Sequence, residues 1–238
     1  MVHAGTPIIR RRGGTLRSMS HRIAVAVEET QKRSFASAVD WPGLSRSGKT
    51  VAAALESVAA YADRYQPVAR AAGEPFPTDE LQVEVLETQP GDGGTAYGVP
   101  MRVSEADRRP TTPADGDRLA RLVTAAWDHL DAIVMAAPEE LRKGPRGGGR
   151  DTSKIVEHTV GADHAYAQAM GIKDAAPVVG DNGSIQGVRA AILEVLRRPS
   201  DGSPLKARWT VRYAAHRIAW HSLDHAWEIE DRTEPEPE

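Results

Sequence analysis

The sequence predicts an α+β protein in two parts, a small β-β-α-β domain followed by an antiparallel four-helix bundle. Three observations carry this. Apolar residues alternate with period two in the segments flanking one helical stretch in residues 21–89. They recur at helical spacing throughout residues 113–232. The intervening stretch, 90–112, is rich in Gly, Pro, Thr and Asp and reads as a linker. Alternation gives a strand one buried face, whereas spacing near 3.6 gives a helix one apolar stripe.

In the first part, Ile23, Val25 and Val27 alternate with Ala24, Ala26 and Glu28, which predicts a strand. A turn-like run from Glu29 to Arg33 leads to a second strand over Ser34–Val39, and the two read as a hairpin. Asp40-Trp41-Pro42-Gly43 turns the chain, and Thr50 is placed to cap a helix from Val51 to about Ala72. Gly73 and Pro75 stop that helix, and Leu81–Leu86 alternates as a third strand. In the second part, Leu119, Leu122, Val123, Ala126, Leu130 and Ile133 mark a first helix that ends near Pro138. Further helices are expected over about Thr152–Met170, Ser184–Leu196 and Leu205–Asp231. Four amphipathic helices with mostly short or polar connections specify a bundle.

The net charge of −3 gives no electrostatic reason to expect nucleic acid. The absence of cysteine excludes disulfides, thiolate metal ligands and a cysteine nucleophile. No apolar run reaches the ~18–20 residues that span a bilayer, so no membrane partner is expected, and a cytoplasmic location is. Residues 1–20 hold Arg10, Arg11, Arg12 and Arg17 with Gly13 and Gly14 and no acid. They are expected to form a disordered leader, with Met19 a candidate true start, and residues 233–238 a disordered tail.

His221 and His225 on the last helix carry the chemistry. Residues four apart lie on one helical face, so both imidazoles can reach one ion. That face continues through Ile218, Ala214 and Val211 and looks inward. A single histidine on such a face is ordinarily a core residue bonded to a carbonyl; a stacked pair is harder to satisfy that way. Without a Glu after His221 this is not the metalloprotease H-E-x-x-H motif. His158, on the apolar stripe of the second bundle helix, is the candidate third ligand, with His129, His164 and His216 less well placed. Three histidines plus an exchangeable water is the arrangement of a catalytic metal. All-nitrogen ligation points to a divalent transition metal, zinc or nickel first.

A bundle with one histidine on its second helix and an H-x-x-x-H pair on its fourth resembles the DinB/YfiT-like superfamily of bacterial metal-binding proteins, which includes thiol-dependent isomerases and transferases. The resemblance covers residues 113–232 and implies His158, His221 and His225 as metal ligands, with a low-molecular-weight thiol as a further candidate cofactor. Bundles of this kind often pair, which makes a homodimer the assembly to test. Arg217, Glu228 and Arg146 are candidates for binding a small-molecule substrate. Arg217 and Glu228 fall near the ligand face, where either can hold an anion or orient an imidazole. Arg146 lies in the basic, glycine-rich stretch Arg142–Arg150 that feeds the helix of His158, where free helix-terminal amides would attract an anion. The plainer reading of that stretch is a flexible connection.

The first part resembles HicB-like antitoxin domains in Phe35, Asp40-Trp41-Pro42-Gly43, Gly48 and Thr50. No DNA-binding helix or ribbon-helix-helix follows, so a full antitoxin role is not implied. Gly43–Thr50 also matches the phosphate-loop pattern G-x-x-x-x-G-K-[ST], but the unit is too small for the parallel sheet that such a loop requires. The expectation is therefore a metal-dependent enzyme that activates water or a thiol against a small electrophile. Its competitor is a non-catalytic binding or regulatory protein with a HicB-like interaction module and a structural or metal-free bundle.

Overall fold

The computed structural model describes residues 8–10, 21–77, 81–143, 149–206 and 208–233. The chain divides into two compact units at Arg109/Pro110, the first mixed α/β and the second helical.

Unit 1 holds β1 (Ile8–Arg10), β2 (His21–Glu29), β3 (Ser34–Ala38), β4 (Ser45–Gly48), α1 (Val51–Ala71), β5 (Leu81–Pro90) and the one-turn α2 (Gly93–Ala96). The sheet order is β1-β5-β2-β3-β4. β2 and β3 form the expected antiparallel hairpin, and β5 returns parallel to β2 after the α1 crossover. Helix α1 packs on the sheet face that buries Ile23, Val25 and Val27, contributing Leu55, Val58 and Tyr65. The Thr50 hydroxyl accepts from the amide of Ala53 at 3.2 Å, the cap that opens the helix.

Three expectations are corrected here. Residues 8–10 of the supposed leader pair antiparallel with β5, with Ile9 opposite Val83, because β5 would otherwise leave its outer row of backbone groups unpaired. The supposed linker 90–112 belongs to unit 1 up to Arg109. Its backbone is anchored by Glu28, which accepts from the amides of Met101 and Arg102 at 3.0 and 2.9 Å. The phosphate-loop pattern contains β4, an extra strand antiparallel to β3. Its Gly48 sits where a Cβ would meet the Ala54 amide nitrogen at 2.4 Å, so that glycine serves the strand–helix approach.

Unit 2 contains α3 (Pro113–Ala136), α4 (Thr152–Ala169), α5 (Asn182–Arg197) and α6 (Val211–Thr233). α3 packs on α5 and α6, and α4 does the same. The interior includes Leu122, Val123, Ala126, Ile155, Ile192, Ile218 and Leu223. Arg189 staples three helices, with both terminal nitrogens on Asp131 of α3 (2.6 and 3.0 Å) and Nε 3.6 Å from Asp163 of α4. The last helix begins at Val211, later than the Leu205 that its apolar pattern suggests. Lys206 and Trp209 close a tight bridge, and the Thr210 hydroxyl then caps the amide of Tyr213. The tail residues 234–238 lie outside the described residues. No described helix is long and apolar enough to cross a membrane.

Candidate metal centre

α6 presents His221 and His225 on the face turned toward α4, and α4 presents His158 back to them. One ring nitrogen from each lies within 4.8 Å of the other two. Nε2 of His221 and Nε2 of His158 are 3.1 Å apart. The ring centroids are 4.7–5.0 Å apart, and His225 stands nearly perpendicular to both others. His221 and His225 are buried and His158 is half-buried, on the side open to solvent.

This arrangement passes a test of fit for a metal. Metal–nitrogen bonds of about 2.0–2.1 Å would place two nitrogens 3.1 Å apart at an angle of roughly 95–100°, within the range of ordinary coordination. All three rings must also offer lone pairs. Burial, then the neighbouring His225 and Arg150 charges, pushes His158 below the usual imidazole range. Burial and the charges of His225, His158, Arg217 and Arg150 push His221 down to about 2. Both rings are therefore neutral near pH 7.

Glu228 completes the set without joining it. Its Oε2 is 2.8 Å from Nδ1 of His225, which assigns the His225 proton to Nδ1 and leaves Nε2 free to ligate. Its Oε1 accepts from Arg232 at 2.9 Å. The hydrogen bond from His225, then the charges of His225 and Arg232, keep this carboxyl below the usual range and ionised. Two roles were open to Glu228, and orienting an imidazole is the one the geometry gives. Both of its oxygens are engaged by the protein's own side chains.

Arg232 also donates to the carbonyls of Arg142 and Arg150, at 2.7 and 2.6 Å, holding both ends of the α3–α4 connection. Gly149, at φ +127, permits that approach, since a Cβ would lie 2.7 Å from the guanidinium. Arg146 lies outside the described residues. Two amides of the helix terminus it was expected to serve are already taken, because the Thr152 amide bonds the Glu139 carbonyl and the Ser153 amide its carboxylate. An anion receptor built on those two amides is therefore excluded.

Arg217 lies beside the cluster, with its guanidinium carbon 4.7 Å from the ring centre of Trp220 and 5.5 Å from that of Tyr166. Tyr166 in turn meets the His221 ring edge-on at 5.6 Å. The sequence did not single out Tyr166, Arg150 or Arg232. Tyr166 stands eight residues after His158, on the same side of α4, and helical spacing alone would have pointed to it. Arg232 lies on α6 four residues after Glu228, where helical spacing would likewise have pointed to it; Arg150 reaches the site from the α3–α4 connection, which has no period to read. An open cleft of about 510 Å³ adjoins His158, lined by Arg150, Lys154, Glu157, Gly161 and Ala162. Among the weaker histidines, Nε2 of His164 is 3.1 Å from the carbonyl of Asp174, and Nε2 of His129 is 3.8 Å from Glu230; neither they nor His216 joins the cluster.

No protein-family model matches this chain, and no curated protein or solved structure matches it.

Proposed function

We propose that the protein is a metal-dependent enzyme of the DinB/YfiT-like type, with unit 2 as its four-helix bundle. His158, His221 and His225 would hold one divalent transition metal, zinc or nickel first. Bound there, the metal would lower the pKa of a water or a low-molecular-weight thiol and so supply a nucleophile against a small electrophilic substrate. His225 is kept in its ligating tautomer by Glu228, and His158 faces the cleft through which a small molecule would arrive.

The observation that carries this reading is the convergence of three imidazoles with no fourth protein ligand among the described residues. A structural zinc is closed by four protein ligands, whereas a catalytic one keeps a position open. Glu228, whose carboxylate lies beside the set, is turned to Nδ1 of His225 instead of completing the coordination. That orientation disfavours the competing reading of a structural metal in a non-catalytic binding protein.

The test is the metal content of the purified, untagged protein beside a folded His221→Ala/His225→Ala variant. About one equivalent in the parent, lost in the variant, is the expected result. A parent that carries no metal, and shows no thermal shift with zinc, nickel or manganese, would return the histidines to the core and end the enzyme reading.

A further inference from the structure

The charges around the three histidines do not cancel. Imidazole ligands carry no negative charge, so they would leave a divalent ion's charge wholly uncompensated. Glu228, the carboxylate nearest the ligands, is paired with Arg232 at 2.9 Å. Glu157, in the cleft, is paired with Lys154 at 2.6 Å. Asp163, which faces Tyr166 electrostatically, is held by Arg189.

Two guanidinium groups remain. Arg150 lines the cleft with His158, and its side chain has no hydrogen bond or ion pair among the described residues. Arg217 stands one helical turn before His221, stacked on Trp220 and Tyr166. Its Nη1 is buried and has no hydrogen-bond partner among the described residues. A buried guanidinium nitrogen without an acceptor is costly, and a charged donor without a protein partner beside a metal-ligand set calls for an external one. Arginine presents its N–H groups in a planar fork that suits carboxylate and phosphate oxygens.

We infer that the centre takes an oxyanion, a carboxylate or phosphate group of a small molecule, with Arg217 as its specific hydrogen-bond donor and Arg150 as a second charge at the cleft. This rests on the three-histidine centre holding a divalent ion. It narrows the substrate from any small electrophile to an anionic one, and it makes Arg217 a specificity-determining residue.

Cobalt(II) reports both premises separately, because its visible spectrum responds to a change of ligand. The cobalt-loaded full chain is titrated with acetate, with inorganic phosphate and with uncharged acetamide at constant ionic strength. Either oxyanion is expected to shift the spectrum saturably, and acetamide is not; the tighter of the two identifies the group. Arg217→Gln should weaken that binding by roughly 10- to 100-fold, the range of a hydrogen bond to a charged group, at unchanged cobalt stoichiometry. Arg217→Lys, which keeps the charge but not the fork, should recover part of it and guards against a folding defect in the glutamine variant. Cobalt that binds but ignores both oxyanions, or that binds them equally in Arg217→Gln, overturns this inference and leaves the metal centre standing. Failure to bind cobalt at all overturns the metal centre, and this inference with it.

Discussion

Two of the polar clusters buried among the described residues are treated oppositely. In unit 1, the Glu28 carboxylate accepts from the Thr95 hydroxyl at 2.5 Å and from the amides of Met101 and Arg102. Burial raises its pKa, and each of those bonds works against the rise. Its oxygens are filled by the chain's own donors. In unit 2, His158 and His221 bring ring nitrogens to 3.1 Å of each other, where at most one proton can sit between two lone pairs, and a third imidazole converges on the same point. A polar cluster closed by its own backbone is an anchor. A cluster that keeps spare lone pairs has the chemistry a receptor needs.

The largest effect that can break this contrast is metal binding itself. A ligand that binds only the folded state at a thousand times its Kd stabilises by about 4 kcal/mol. Added zinc should therefore slow hydrogen exchange through α4 and α6 and leave β2 and β3 as they were. Equal protection of both units would mean nonspecific association, and no protection at all would mean that the histidines are not a receptor.

Glu28→Ala is the matching experiment on the closed cluster. It strands the Thr95 hydroxyl and two amides, and should destabilise unit 1 by about 2–4 kcal/mol, since buried donors left without an acceptor cost about 1–3 kcal/mol each and some relaxation is expected. Metal content should not change. A fall in bound metal in this variant would show that the two clusters are not independent, and would undo the comparison.

Asp163 is the intermediate case, a carboxylate buried among α3, α4 and α5 whose salt-bridge partner is shared with Asp131. Burial outweighs Arg189 and raises its pKa from 3.8 to about 6. The folded state then takes up a proton more readily than the unfolded one. This contribution is fully present below 3.8 and is lost as pH rises through about 6. It is worth at most about 3 kcal/mol. Urea midpoints of unit 2 between about pH 7.5 and 4.5, compared with Asp163→Asn, should show the parent gaining on the variant as the solution is acidified. Parallel curves would mean that Arg189 fully compensates the carboxylate.

How far the sequence foretold these differences depends on what each feature needs. The clustering of the histidines was legible because i, i+4 spacing on a helix is a local signal, and α6 carries two of the three. The strand β4 was hidden because Ser45, Arg46, Ser47 and Gly48 have neither apolar alternation nor β-branched side chains; its pairing with β3 is a tertiary choice. β1 was hidden for a related reason, since an arginine- and glycine-containing leader becomes a strand only where a neighbouring edge offers it hydrogen bonds. The bonding of the first two α4 amides depends on Glu139, more than ten residues away across a connection without periodicity, and no spacing rule reaches it.

The smallest effect sharpens the contrast most, because it leaves all three ligands in place. Glu228→Gln keeps the size of the side chain and an amide oxygen that can still accept from Nδ1 of His225, but removes the charge that holds both His225 and Arg232. Losing such an outer partner of a metal-bound histidine typically lowers metal affinity by about 10- to 100-fold, which is roughly 1.4–2.8 kcal/mol. The expected result is a weaker zinc site of unchanged stoichiometry in a protein that still folds. Affinity equal to the parent's would mean that packing alone orients His225, and complete loss of the site would mean that Glu228 is itself a ligand in the metal-bound state. The second outcome would turn the open receptor into a closed one and favour a structural metal over a catalytic one.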